Sequence, residues 1–341
     1  MSNFVNNLSC IDISVNQQIK CIDMHTGGEP LRVITSGFSG LKSKRIVDKR
    51  LECLEHQDNL RTAIMGEPRG HSDMYGALIT ESERADSDFG VLFLHNEGYS
   101  TMCGHAIIAL STLAEKVGHF KDKDELKIDS PAGQVTAYYK NGQAYFDNVA
   151  SFVVKLDHQI NHPALGSFTT DVAFGGAYYA YVDADKLDIS LSKANATQLS
   201  GLGEEIKALV NSSLALAHPE DESLSFLYGV IFYSSSQTKD KESHSKHVCI
   251  FADGELDRSP TGTGVSARVA ILHAREQINA GDKITIESIV ESSFDVTIKK
   301  ETQFHGYNAV IPRVFGTAYI TAFSNFVLED SDPFKHGFFL K

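Results

Sequence analysis

Two short segments of this 341-residue chain carry side chains whose types and spacing could do chemistry. Ser100–Leu110 reads Ser-Thr-Met-Cys-Gly-His-Ala-Ile-Ile-Ala-Leu, and Asp257–Val265 reads Asp-Arg-Ser-Pro-Thr-Gly-Thr-Gly-Val. Each is a turn of small residues that runs straight into an apolar stretch with the character of a buried helix. The first N–H groups of a helix have no intrahelical acceptor, and the aligned peptide dipoles make that end positive, so an anion placed there is stabilised. Gly104 and Gly262 remove the side chains that would hold a ligand off the backbone. If the two helix mouths face one cleft, a carboxylate binds well between them. The residue just outside each mouth differs: Cys103 offers a thiol and Thr261 a hydroxyl. A free thiol titrates near pH 8.5 and a helix N-terminus commonly lowers that value, which would make Cys103 a general base at working pH. An alkyl hydroxyl has no such range. Most cysteines are buried packing residues. The flanking Gly104 and His105 set Cys103 apart, whereas Cys10, Cys21, Cys53 and Cys249 read as packing or surface residues.

The elements that must position these segments are mostly short strands. Ile19–Met24, Arg32–Thr35, Phe89–Leu94, Gln134–Lys140, Tyr178–Val182, Leu227–Tyr233 and His247–Ala252 are rich in β-branched and aromatic residues and lie between turn signals. Gly104–Val117 and Gly264–Ala274 read as helices apolar on nearly every side, which requires burial all round. Gln198–Leu214 reads as an amphipathic surface helix, and the polar segment Ser234–Lys246 as an exposed loop. A weak internal repeat is visible. Gly27-Gly28 recurs as Gly175-Gly176, a shift of 148, while Cys103 and Thr261 are separated by 158. Lys127–Ser130 is echoed by Thr285–Ser288, again at 158. Two homologous halves, each a curled sheet around one central helix, would account for both helices being so apolar.

Composition narrows the classes. The chain is long enough for two domains, and 42% hydrophobic with 22% charged residues fits a globular protein. A formal charge of −13 argues against a nucleic-acid or anionic-membrane partner. Five dispersed cysteines without a CxxC pair argue against a disulfide framework or zinc site and suit a reducing, cytoplasmic setting. The start Met1–Asn7 lacks the basic and apolar regions of a signal peptide, and no stretch has the length of a membrane-spanning helix. The remaining histidines, among them His158, His162, His244 and His247, lack metal-ligand spacing. Gly262–Gly264 lacks the rest of a nucleotide fingerprint.

Met-Cys-Gly-His before an apolar helix, with Asp-Arg-Ser-Pro-Thr-Gly-Thr-Gly far downstream, resembles the proline racemase family. Asp23–Arg32 (Asp-Met-His-Thr-Gly-Gly-Glu-Pro-Leu-Arg) and Gly70–Ala77 (Gly-His-Ser-Asp-Met-Tyr-Gly-Ala) match it too, so the resemblance covers nearly the whole chain. It implies the diaminopimelate-epimerase-like α/β (α+β) fold: two pseudo-symmetric domains with the active site between them. The expected division is residues 1–152 plus about 312–341 for the first domain and 153–311 for the second, because in this fold the last strands return to the first half.

In racemases and 4-hydroxyproline epimerases of this family two cysteines flank the substrate α-carbon. The first corresponds to Cys103; the second would stand at 261, where this chain has Thr. The resemblance therefore implies a trans-3-hydroxy-L-proline dehydratase. Cys103 would remove the α-proton and the C3 hydroxyl would depart as water, its proton coming from the new thiol or from an ordered water. Thr261 would form a neutral far wall. Gly104, His105, Gly262 and Thr263 would donate to the substrate carboxylate. Asp257 would hold the ring nitrogen protonated or, on the plainer reading, cap the following turn, and His105 could instead orient Cys103. No metal or organic cofactor is expected. The expected partner is a cyclic imino acid, with a homodimer left open. His25, Glu29, His71, Asp73 and Tyr75 lie within family motifs but gain no assigned role. A proline racemase or 4-hydroxyproline epimerase, and a non-enzymatic amino-acid-binding protein, are the competing readings.

Overall fold

The computed structural model describes residues 17–38 and 40–340. Cys10 and the Met1–Asn7 segment lie outside the described residues. The first half of the chain runs β1 (Gln17–Thr26), β2 (Glu29–Ser36), α1 (Ile46–His56), α2 (Asp58–Met65), β3 (Tyr75–Thr80), β4 (Phe89–His95), β5 (Gly98–Ser100), α3 (Gly104–Lys116), β6 (Leu126–Ser130), β7 (Gly133–Lys140), β8 (Gln143–Asp147) and β9 (Ser151–His162). The second runs β10 (Gly166–Phe174), β11 (Tyr178–Asp183), α4 (Ala196–Ser213), β12 (Leu227–Ser234), β13 (Ser245–Phe251), β14 (Glu255–Leu256), α5 (Gly262–Ala274), β15 (Lys283–Glu287), β16 (Ser293–Phe304), β17 (Tyr307–Gly316) and β18 (Ala318–Leu328).

The pairings repeat strand for strand. β2 runs parallel to β3 as β11 does to β12, and β4 parallel to β6 as β13 does to β15. The antiparallel pairs β3–β4, β6–β7 and β7–β8 have twins in β12–β13, β15–β16 and β16–β17. The starts of α3 and α5 differ by 262 − 104 = 158, the spacing expected from the repeat. The last strand of each half crosses over: β9 pairs with β10, and β18 pairs with β1. All the strands belong to one continuous 18-stranded sheet, and each half of it curls around one helix. α3 packs on β1, β2, β7, β8 and β18, and α5 on β9, β10, β11, β16 and β17. This is the two-part, curled-sheet α+β architecture expected from the sequence.

The apolar character of α3 and α5 follows from that position. Residues 104–112 of α3 and 262–272 of α5 are all buried. α4 instead lies outside its sheet and buries only Leu199, Gly203, Ile206 and Val210, one stripe at helical spacing. α1 and α2 were not legible from periodicity. Two of the residues that they bury are cations, which hides the apolar pattern. Lys49 reaches the Glu81 carbonyl at 2.5 Å, and Arg61 pairs with Asp58 at 2.6 Å and donates to the His95 carbonyl at 2.9 Å. α5 begins at Gly262, two residues before the sequence expectation, and β13 begins at Ser245, inside the segment read as loop.

The two central helices meet end to end. A Cβ built on Gly104 would lie 2.5 Å from the Gly262 Cα, and one on Gly262 equally close to the Gly104 Cα. No side chain fits there, and the obstacle is backbone that cannot rotate away. Gly104→Ala should therefore destabilise the fold by about 1–3 kcal/mol, as overpacking does. Gly201→Ala on α4, where the added methyl meets nothing within 4 Å, should stabilise by about 0.5–1 kcal/mol. Thermal denaturation of the two variants checks the contrast, and equal melting shifts would refute the helix contact.

Candidate active site

The contact between Gly104 and Gly262 brings the two helix mouths to one small pocket. It is lined by Cys103, Gly104, His105, Asp257, Thr261, Gly262 and Thr263, so all seven residues singled out in the sequence meet there. Tyr75, Met102, Tyr179, Tyr228 and Phe251 complete the wall. The tyrosines on β11 and β12 carried no distinguishing signal, because strand aromatics ordinarily pack into a core. Tyr75 stood in a family motif, and only the curl of the sheet aims it at the cavity.

Cys103 and Thr261 hold corresponding positions in unlike ways. Cys103 caps α3 in extended backbone (φ −144°, ψ 106°), and its carbonyl accepts the Ile107 N–H at 3.1 Å. Thr261 caps α5 at φ +68°, ψ 96°, a left-handed conformation that a β-branched residue rarely adopts. Short bonds hold it there. Its N–H donates to the Ser259 hydroxyl at 3.1 Å, and its own hydroxyl donates to Asp257 Oδ2 at 2.7 Å. Asp257 Oδ1 accepts the Ser259 N–H at 2.7 Å. The carboxylate therefore does fasten its own turn, and it faces the pocket as well.

The thiol of Cys103 behaves differently from the sequence expectation. The Ala106 N–H in the first turn pulls its pKa down, as the helix mouth should, but burial outweighs it and pushes the thiol well above the usual range. Nearby Asp257 and Glu29 add to the rise. Cys103 is only 5% exposed, and a thiolate there loses its hydration. His105 lies beside it, Nδ1 3.2 Å from Sγ. Burial lowers the His105 pKa to about 4, so the ring is neutral at pH 7. Thr263 turns its hydroxyl to Tyr179, 2.7 Å away. Cys21, Cys53 and Cys249 are buried and take no part in the pocket lining, as their sequence settings suggested.

The first family-like motif acts as a clamp. In the β1–β2 turn, Thr26 donates to the His105 carbonyl at 2.8 Å, tying the turn to α3. Glu29 Oε2 accepts the Arg258 N–H at 2.6 Å, tying the same turn to the segment that carries Asp257. Gly27 and Gly28 have φ +60° and +92°, and a Cβ on Gly27 would sit 2.9 Å from the Ser292 hydroxyl. Burial, aided by nearby Asp257, raises the Glu29 pKa well above the usual carboxylate value. Asp73 supports the arrangement through an ion pair with Arg258 at 2.7 Å. His25 accepts the Gly28 N–H at 3.3 Å, which is plain turn chemistry, and His71 is exposed.

Among the described residues no helix is long and apolar enough to cross a membrane. The likeness to known proteins is extensive. A relative from Colwellia psychrerythraea named trans-3-hydroxy-L-proline dehydratase is 48% identical over 331 residues, covering 95% of this chain and 93% of the relative. One from Burkholderia multivorans named 3-hydroxyproline 2-epimerase is 39% identical over 337 residues, covering 96% of this chain and all of the relative. Among solved structures, a hydroxyproline epimerase from Agrobacterium vitis with bound trans-4-hydroxy-L-proline superposes with a TM-score of 0.87 at 26% identity, covering 95% of this chain and 96% of that one. The family profile described as proline racemase matches residues 21–339. Since that match runs through both halves and both helix mouths, the chain belongs to the proline racemase family.

Proposed function

We propose that this protein is a trans-3-hydroxy-L-proline dehydratase, a hydro-lyase that forms Δ1-pyrroline-2-carboxylate with Cys103 as its base, acting in a reducing cytoplasm. The observation that carries the reading is the inequality of the two helix mouths: a thiol beside one, and at the other a hydroxyl whose proton is engaged by Asp257 at 2.7 Å. The relative at 48% identity bears the same name.

The substrate carboxylate sits between the starts of α3 and α5, where unpaired N–H groups and both helix dipoles favour negative charge. Its ring nitrogen lies toward Asp257, which favours the ammonium form and so acidifies the α-carbon. That ammonium also gives the Cys103 sulfur a counter-charge, offsetting the burial that otherwise keeps the thiol protonated. The thiolate removes the α-proton. In trans-3-hydroxy-L-proline that hydrogen and the C3 hydroxyl share the ring face opposite the carboxylate, so loss of water is a syn elimination. One-sided chemistry is sufficient. The enamine formed then tautomerises to the imine.

A 2-epimerase is the second reading, favoured by the Burkholderia multivorans relative. It needs an acid–base group on the far face as well, and Thr261 ionises too weakly to be one. Proton NMR of the enzyme with trans-3-hydroxy-L-proline in deuterated water separates the two. The pyrroline carboxylate is expected, whereas inversion at C2 without loss of water would overturn the dehydratase reading. Cys103→Ser should lower kcat/KM by roughly 10³-fold or more, the scale of a lost general base. Retained turnover in that variant would exclude Cys103 as the base. Thr261→Cys should gain measurable epimerisation of 4-hydroxyproline, followed by optical rotation. A folded variant with none would contradict the facing arrangement.

The acidity of the site gives a further expectation. Catalysis needs the thiolate, and burial lifts the Cys103 pKa above the ordinary thiol value. kcat/KM should therefore rise about tenfold per pH unit through neutrality and still be climbing near pH 9. No limb belongs to His105, already neutral above about pH 5. A plateau reached by pH 7 would mean that the free enzyme already holds a thiolate.

A further inference from the structure

The dehydratase reading leaves one step without an agent: hydroxide is a poor leaving group, and something must protonate it as the C3–O bond breaks. What separates the polar groups lining the pocket is the side of the site on which they stand. The Thr261 hydroxyl is held by Asp257, and the Thr263 hydroxyl is paired with Tyr179. Glu29 does not line the cavity. Tyr75 does line it, from the start of β3, on the Cys103 side. It shares the cavity wall with Cys103, and His105, which its ring touches, has Nδ1 3.2 Å from the Cys103 sulfur. The Tyr75 ring meets His105 edge-on, with centroids 4.8 Å apart. The same hydroxyl bonds the buried Ser100 hydroxyl and lies 3.5 Å from that of Tyr228. Thiol and phenol therefore stand together on one side of the site, as a syn elimination demands of its base and acid.

We propose that Tyr75 is the acid that protonates the departing C3 hydroxyl, an inference that rests on the dehydratase reading. The Cys103 thiolate takes the α-proton and becomes S–H. The C2 electron pair forms the C2=C3 bond as C3–O breaks. Tyr75 gives its O–H proton to the departing oxygen, which leaves as water. The resulting phenolate takes the proton from the adjacent Cys103 S–H, restoring both thiolate and phenol, so the net change is substrate to enamine plus water. The hydroxyls of Ser100 and Tyr228 donate to the transient phenolate. Burial raises the Tyr75 phenol pKa well above its usual value, which keeps the proton in place between turnovers.

The test compares two leaving groups of unequal need. Tyr75→Phe is assayed with trans-3-hydroxy-L-proline for pyrroline carboxylate and with trans-3-fluoro-L-proline for released fluoride, which departs with little help from an acid. Loss of water should slow by roughly 10²-fold or more, the scale of general-acid catalysis, while fluoride release stays within about fivefold of wild type. Retained fluoride release also reports that the variant is folded. Equal losses on both substrates would assign Tyr75 a purely structural role, and unchanged dehydration would eliminate it; either overturns the inference. Should Tyr75→Phe fail to fold, Ser100→Ala removes only a partner of the phenol. It should slow water loss about tenfold and spare fluoride release, and equal effects there count against the proposal. A wild-type enzyme that forms no pyrroline carboxylate would instead sink the dehydratase reading itself.

Discussion

The rest of the molecule depends on the approach of Gly104 to Gly262. A hypothetical methyl on either would fall 2.5 Å from the opposite backbone, so the two helix starts are as near as peptide chains allow. That nearness is unfavourable in isolation, because two positive helix ends repel. Packing holds it in place. Each helix is sheathed by its own half of the sheet, and the crossed-over strands β9 and β18 tie the halves together. An anion would relieve that repulsion, which is why the proposed reading places the substrate carboxylate at this juncture.

Two opposed effects set the state of the thiol placed there. The first turn of α3 offers N–H groups that favour a thiolate, while enclosure strips the water that a thiolate needs, and enclosure wins. A buried thiol kept protonated is protected from oxidation and stray alkylation, both of which need the thiolate. His105, neutral at pH 7, touches the sulfur at 3.2 Å without adding a charge beside it.

The clamp explains why so much polar machinery surrounds a site with so few reactive atoms. Thr26 grips the α3 side and Glu29 grips the segment leading into α5, both from one hairpin turn. Arg258 and Asp73 brace that segment further. These bonds span residues 79 and 229 apart in sequence, and they hold the thiol and the Asp257 carboxylate in a fixed relation. The bent backbone of Thr261 belongs to the same system: a strained cap persists only where its neighbours over-determine it.

The sequence by itself carried the two helix mouths, the thiol–hydroxyl inequality, the 158-residue repeat and the family, because each is written in contiguous residues or in a constant offset. The buried helices were legible because a helix enclosed on every side must be apolar on every side. α1 and α2 were not, since their buried Lys49 and Arg61 find carbonyl partners that only the folded chain supplies. The acidity of Cys103 was likewise beyond the sequence: the helix field is a local property, but desolvation depends on what the other half of the protein lays over the sulfur. The same holds for Tyr75. Its motif could be recognised, yet whether its side chain faces solvent, the core or the pocket beside Cys103 is decided by the curl of a sheet. That curl is set by long-range strand pairing, not by the residues beside it.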